Sequence, residues 1–225
     1  MPGACSLVFE TSTPHASLAL VRTAGPVAQR EFCSDRNHNS LLFAPLRELL
    51  EIDGGRNLSR VLVGSGPGSY SGTRVGIAAA QGVAMALACP AIAVPSILAV
   101  PSVQGGAAGL AIGDARRGSY WSAAVADCSL LDAPVLCDAA GLATVVAQAL
   151  AAGVTVFTFE DPARLPLPGE TSQQIMLETP DATRLWQAWR NTTAANRRRW
   201  LVAIPQPLYL KPPHITPAKR SCWLR

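Results

Sequence analysis

Apolar positions along this chain come first as short runs and then as helical stripes. Residues 6–10 (SLVFE), 16–22 and 27–32 are separated by turn residues at 13–15 and 24–26, so the spacing predicts three strands with tight connections. Leu42, Leu46, Leu49 and Leu50 then recur at i, i+4, i+7 and i+8. They mark one face of a helix that Asn39 or Ser40 caps, with Pro45 near its first turn and Asp53-Gly54-Gly55 at its end. Residues 60–64 read as a fourth strand. A glycine-rich loop leads into a second helix over about 74–88, stopped by Pro90, and 91–94 read as a fifth strand.

The second half repeats the pattern. A strand at 109–114, a turn at Arg117-Gly118 and a strand at 119–126 are followed by a weaker strand at 134–138. An alanine-rich helix at 139–152 and a strand at 154–159 come next. Residues 161–170 hold three prolines and read as a loop, and a final helix covers 181 to about 199. Pro205, Pro207, Pro212, Pro213 and Pro217 make the remaining chain extended. Two β-β-β-α-β-α units predict an α/β protein with the duplicated ribonuclease-H-like fold of the actin, hexokinase and acetate-kinase group. The expected lobes are 1–104 and 105–225. In such folds an acidic residue ends the first strand of each half, and Glu10 and Asp114 stand at those places.

Composition narrows the class. The chain has 225 residues, 49% hydrophobic and 15% charged, enough apolar content for a sizeable core and too much for a disordered chain. Its six cysteines form no C-x-x-C pair and read as reduced, mostly buried small side chains. Residues 76–103 are long and apolar, but Pro90, Pro95 and Pro101 interrupt them. The helical part before Pro90 is under 15 residues, against the ~20 that a bilayer span needs. The first ten residues lack a basic region before an apolar run, so the expectation is a soluble, cytoplasmic protein without a signal peptide. Charge is uneven: 182–225 hold nine Lys and Arg and no Asp or Glu, and all fifteen acidic residues come earlier. Arg197, Arg198 and Arg199 are the densest part of this basic tail. They read either as an ordinary solvated helix face or as a surface for an acidic partner such as nucleic acid.

Two segments carry candidate chemistry. Glu10-Thr11-Ser12-Thr13 combines a carboxylate and hydroxyls at a strand end, the groups that hold a metal and phosphate oxygens, or that close a hairpin turn. Residues 64–74 (GSGPGSYSGTR) place Gly66, Gly68, Ser69 and Gly72 before a helix N-terminus, where free N–H groups favour anions. The loop has neither the Lys-Ser/Thr pair of a P-loop nor the dinucleotide glycine spacing. His15, His38 and His214 do not share a helix turn, and His38 reads more readily as a cap or packed side chain than as a ligand. No serine or cysteine has a base placed beside it.

As a family signature the glycine loop is far more specific. Residues 64–88 (GSGPGSYSGTRVGIAAAQGVAMALA) closely resemble the G-P-G-S-F-T-G-x-R-x-G segment of the TsaB (YeaZ) family, with Tyr70 and Ser71 for Phe and Thr, and Gln81 where lysine is common. SLVFETSTPHASLAL at 6–20 is similar to the family's opening hairpin. NHNSLLFAPLRELL at 37–50 resembles its first helix, DARRGSYWSAA at 114–124 its D-A-R-R-G segment, and PLYLKPP at 207–213 its P-x-Y-L-R-P-P close. The family usually has Asp where Glu10 stands, and the extra methylene moves the carboxylate by about 1.5 Å.

The resemblance implies a non-catalytic subunit with no intrinsic cofactor and vestigial phosphate loops (Glu10, Thr11, Ser12, Gly66, Gly68, Ser69, Gly72, Asp114). Its partners would be the transferase TsaD, as a heterodimer, and the ATPase TsaE, with tRNA reached through the complex. ATP or ADP would lodge, if anywhere, at the joint with TsaD, and the free protein would self-associate. Expected interface residues are His38, Leu42, Leu46, Leu49, Arg74, Ala78, Gly82 and Met85. The competing classes are a small-molecule kinase or ATPase using Glu10, Asp114 and the glycine loop, and a general RNA-binding module.

Overall fold

The structure, a computed structural model, describes residues 5–34, 38–52 and 58–211. The N-terminal sheet contains β1 (Cys5–Glu10), β2 (His15–Arg22), β3 (Gly25–Cys33), β4 (Leu58–Gly64) and β5 (Ala91–Val94), in the order β3-β2-β1-β4-β5. Strands β1, β4 and β5 run parallel, while β2 and β3 return antiparallel. Helices α1 (His38–Ile52) and α2 (Tyr70–Ala86) make the crossovers.

The C-terminal sheet is built from β6 (Gly109–Asp114), β7 (Tyr120–Ala126), β8 (Ser129–Leu130), β9 (Val135–Cys137), β10 (Thr155–Thr158) and β11 (Met176–Leu177). Its order is β11-β10-β6-β7-β8, with β9 also on β7. Strands β6, β10 and β11 are parallel and β7 is antiparallel to β6. The third strand of the first unit is matched here by two fragments, β8 and β9, on the same neighbour. The two sheets therefore share one connectivity, that of a duplicated ribonuclease-H-like fold. The remaining helices are α3 (Ala139–Ala151), the single turn α4 (Gly169–Ser172), α5 (Ala182–Asn191) and α6 (Ala194–Val202).

Period-2 patterning explains how the sheets are filled. Every residue of β1 is buried, so its alternate side chains serve two cores. Leu7 and Phe9 join Leu18, Leu20, Leu42, Leu49 and Ile77 beneath α1 and α2. Val8 points the other way, into a core shared with Ala19, Leu62 and Ile92, with Ala111 and Trp121 of the second sheet, and with Leu185, Trp186 and Trp189 of α5. A third cluster, including Ile112, Leu142 and Val156, lies under α3.

Several elements depart from the sequence reading. Helix α1 begins at His38, so Asn39 and Ser40 lie in its first turn instead of capping it, and Pro45 sits in mid-helix. Residues 53–55 and the side chains of residues 38–40 lie outside the described residues. Helix α2 begins at Tyr70, four residues earlier than expected, because the Ser69 hydroxyl accepts from Gly72 N at 3.2 Å and caps it. The single final helix is two. Thr192 leaves the helical region at ψ 162°, and the Thr193 side chain caps α6 through Asn196 N. That break lets Trp189 and Trp200 meet with ring centroids 6.1 Å apart, both buried. Among the described residues no helix is long and apolar enough to cross a membrane.

Candidate functional site

Glu10 and the glycine loop do come together, and they close on each other. Glu10 is fully buried at the end of β1, where its Oε1 accepts from Ser12 N at 2.7 Å. It fits because position 64 is glycine: a Cβ there would lie 2.0 Å from Glu10 Oε2. Thr11 Oγ1 donates to Gly72 O at 2.9 Å, and Ser69 N donates to Ser12 O at 2.6 Å, so the two segments are stitched directly. Gly68 and Gly76 permit that approach. A Cβ at either would stand 2.2 Å from Ser12 O or Thr11 Oγ1, respectively.

Several of the N–H groups that a phosphate loop would offer are already used. Ser65 N donates to Val94 O, Gly66 N to Ser96 Oγ, Gly72 N to Ser69 Oγ and Thr73 N to Ser69 O. Glu10 Oε2, Ser12 Oγ and Thr73 Oγ1 are buried without a hydrogen-bond partner among the described residues. Burial pushes the Glu10 carboxyl above its ordinary value, and hydrogen bonding around Ser12 offsets this only in part. A carboxyl buried on its own turn, where desolvation disfavours its charged form, is a poor anionic ligand for a metal. The direct bonds from Thr11 to Gly72 and from Ser69 to Ser12 close the two loops on each other.

Asp114, the counterpart of Glu10, is occupied differently. Its Oδ1 accepts from Arg116 N at 2.6 Å, and its Oδ2 pairs with Arg116 Nη1 at 3.0 Å. Asp114 N in turn donates to Glu160 Oε1. The tip of this hairpin is unusual: Arg116 and Arg117 both have left-handed φ, 66° and 59°, where glycine, asparagine and aspartate are the common residues.

The helix pair presents a second feature. Leu42 and Leu49 are fully buried against their own sheet and Leu46 nearly so, which corrects their assignment as partner-facing residues. The apolar stripe of α1 is spent on the chain's own core. The outward side belongs to other residues: Phe43 is 59% exposed and Met85 80%, and Ala78, Gly82 and Ala86 are exposed between them. Phe43, Ala78, Gly82 and Ala86, with Val75 and the edge of Leu46, line an apolar groove of about 600 Å³. A Cβ on Gly82 would meet nothing within 4 Å, so the groove is open at that point. Its one charged lining residue is Arg74, stacked 3.8 Å over the Tyr70 ring and hydrogen-bonded to Tyr209 Oη at 2.8 Å. Phe43 lies one step beyond the leucine stripe and could have been found as the apolar residue left off the inward face.

Of the basic tail, Arg198 and Arg199 are exposed and Arg197 is half-buried. None of the three pairs with a carboxylate among the described residues. Trp200 turns inward and is not available beside them.

Comparison with known proteins agrees with this picture. A family model described as TsaD, tRNA N6-adenosine threonylcarbamoyltransferase, matches residues 33–134. The tRNA threonylcarbamoyladenosine biosynthesis protein TsaB of Escherichia coli is 31% identical over 123 residues, 52% of this chain and 53% of that protein. Its Bacillus subtilis namesake is 32% identical over 120 residues, 52% of each. The chain thus spans about half the length of the curated relatives it matches. YeaZ from Pseudomonas aeruginosa superposes with a TM-score of 0.63 at 22% identity, covering 92% of this chain and all of that one. A second Pseudomonas aeruginosa structure, of a protein with similarity to peptidase YEAZ, gives 0.65 at the same identity and coverage. The glycine-loop signature, the two TsaB relatives and the shared fold all make this chain similar to the TsaB (YeaZ) family.

Proposed function

We propose that the chain serves threonylcarbamoyladenosine biosynthesis on tRNA as a non-catalytic subunit, binding the transferase TsaD and holding it in a competent form. The single observation that carries this reading is the contrast between a sealed cleft and an open groove. The place where a kinase-like relative would hold phosphate is stitched shut by Thr11, Ser12, Ser69 and Gly72. The outer side of α1 and α2, by contrast, carries exposed apolar residues that the chain does not cover itself. Small side chains at Ala78, Gly82 and Ala86 allow close approach of a partner helix. Nucleotide, where the complex uses it, sits at the joint with the partner, and TsaE supplies ATPase activity. In the absence of TsaD the same groove supports self-association.

A catalytic reading has one observation in its favour: the family model matching 33–134 is that of the transferase itself. One experiment separates the two. This chain is mixed with TsaD and TsaE of the same organism, tRNA, ATP and threonylcarbamoyl-adenylate, omitting each protein in turn, and modified adenosine is measured by mass spectrometry. The expected result is that modification requires this chain, while the chain alone neither modifies tRNA nor turns over ATP. Turnover of ATP by the chain alone, or no effect of its omission, overturns the proposal. Within the same assay, Gly82→Trp is expected to fill the groove, weaken TsaD binding at least a hundredfold and leave the thermal melt of the chain unchanged.

A further inference from the structure

One stretch of the molecule belongs to neither the sealed cleft nor the helical groove. After α6, residues 203–211 run without regular secondary structure along the outside of the protein. Four hydrogen bonds fix this strap. Gln81 Nε2 donates to Pro205 O at 3.2 Å, Leu208 N to Ser65 O at 2.8 Å, Arg74 Nη2 to Tyr209 Oη at 2.8 Å and Lys211 Nζ to Arg116 O at 3.0 Å. At roughly 3.3 Å per residue an extended strap of this length covers about 25–30 Å.

Basic side chains stand near both ends of it. Arg198 and Arg199 precede its start on α6, and Arg74, Lys211, Arg116 and Arg117 gather toward its end, around Tyr209 and Lys211. Among the described residues only Arg116 of these is paired with a carboxylate, that of Asp114. The turn at Arg116 and Arg117 holds two arginines in a backbone conformation that disfavours L-residues, a kind of strain that gathers at functional positions. Two flat rings interrupt the charges. Tyr70 is 66% exposed and Tyr209 49%, and the Arg74 guanidinium lies between them, 3.8 Å and 5.5 Å from their centroids.

We infer that α6 and the strap form a track for the phosphate backbone of an RNA. Three observations favour RNA over an acidic protein face. The charges stand at both ends of a strap about 25–30 Å long, a span of several phosphates. Five of the six are arginines, whose planar forks suit phosphate oxygens. Two exposed aromatic rings flank Arg74 among them, and single-stranded RNA stacks on such rings. Contact through phosphates is expected to make binding steeply dependent on salt and to hold across tRNA sequences. The choice of tRNA as ligand rests on the proposed function; the phosphate chemistry does not.

The test uses the full chain and a fluorescent unmodified tRNA transcript, titrated by anisotropy at several salt concentrations. Two double variants remove opposite ends of the track, Arg198→Gln with Arg199→Gln, and Arg117→Gln with Lys211→Gln. Arg47→Gln, on α1, is the control. Each double variant is expected to weaken binding on the order of tenfold and to flatten the slope of log affinity against log salt by about 1.5, at 0.7–0.9 per phosphate lost. The control is expected to match wild type. Absence of tRNA binding by the wild-type chain at low salt, or variants that bind tRNA as wild type does, overturns the inference. So does loss of TsaD binding with tRNA binding intact, which would mark the strap as an acidic-protein surface. A tRNA unrelated to threonylcarbamoylation is included. If it binds equally while the reconstituted complex makes no modified adenosine, the track stands and the functional proposal falls.

Discussion

The two sheets share a topology but treat the end of their first strand in opposite ways. In the N-terminal unit Glu10 is buried, its carboxyl pushed above the ordinary range, and held by its own turn. In the C-terminal unit Asp114 is partly open and tied to an exposed arginine. The first arrangement depends on glycines that admit side chains and carbonyls at contact distance. The second depends only on a hairpin tip that tolerates left-handed residues. A duplicated fold therefore does not duplicate its chemistry: close packing decides what the first strand end can do, and local charge pairing decides it in the second.

Substitutions at the glycines sharpen that comparison most. Gly68→Ala would place a Cβ 2.2 Å from the Ser12 carbonyl, which is backbone and cannot swing away. The expected loss is about 3 kcal/mol or more, read from urea unfolding, because the stitched loops must part. Gly118→Ala, at φ 71° in open space, is expected to lose only about 1–2 kcal/mol, the conformational term alone. Equal losses would remove the distinction between a crowded and a merely turned site.

The pH dependence comes next. Glu10 keeps its proton to a higher pH when folded than when unfolded, since burial raises its pKa from the ordinary 4.5. Between 4.5 and the folded value the native state binds more protons, so stability falls as pH rises through that window. Below 4.5 both states are protonated and the effect vanishes. Glu10→Gln is therefore expected to gain on wild type as pH increases from 4 to 8, measured as the difference in urea midpoint. A constant difference across that range contradicts a raised Glu10 pKa. The smallest effect is at the other strand end. Asp114→Asn loses a pair whose arginine side chain is 80% exposed, and is expected to change stability by less than about 1 kcal/mol.

Much of the architecture was legible because each half repeats the same alternation of apolar runs and helical stripes. The fifth and sixth strands, Ala91–Val94 and Gly109–Asp114, fall where their apolar runs begin and end. The early start of α2 was hidden because glycine and threonine after Ser69 read as loop, while one hydroxyl cap and packing against Thr11 override their weak helix propensity. The division between α5 and α6 was hidden because Thr192 and Thr193 break no apolar stripe. Strands β8 and β11 have two residues each, too few to show a period. At the site, the acid, the hydroxyls and the glycines were all identifiable, but not that they would satisfy one another. The leucine stripe on α1 looked like an interface because a sequence cannot say which apolar side a protein covers for itself.

The core between the sheets also has a consequence in time. Val8, Leu62 and Ile92 are closed over by Leu185, Trp186 and Trp189, nearly a hundred positions further along the chain. A ribosome adding about 5–20 residues each second needs roughly 5–20 s to deliver that cover. For that interval the emerging first sheet has only the cover that residues 97–125 supply, and the part of its inner face that α5 closes stays open to water.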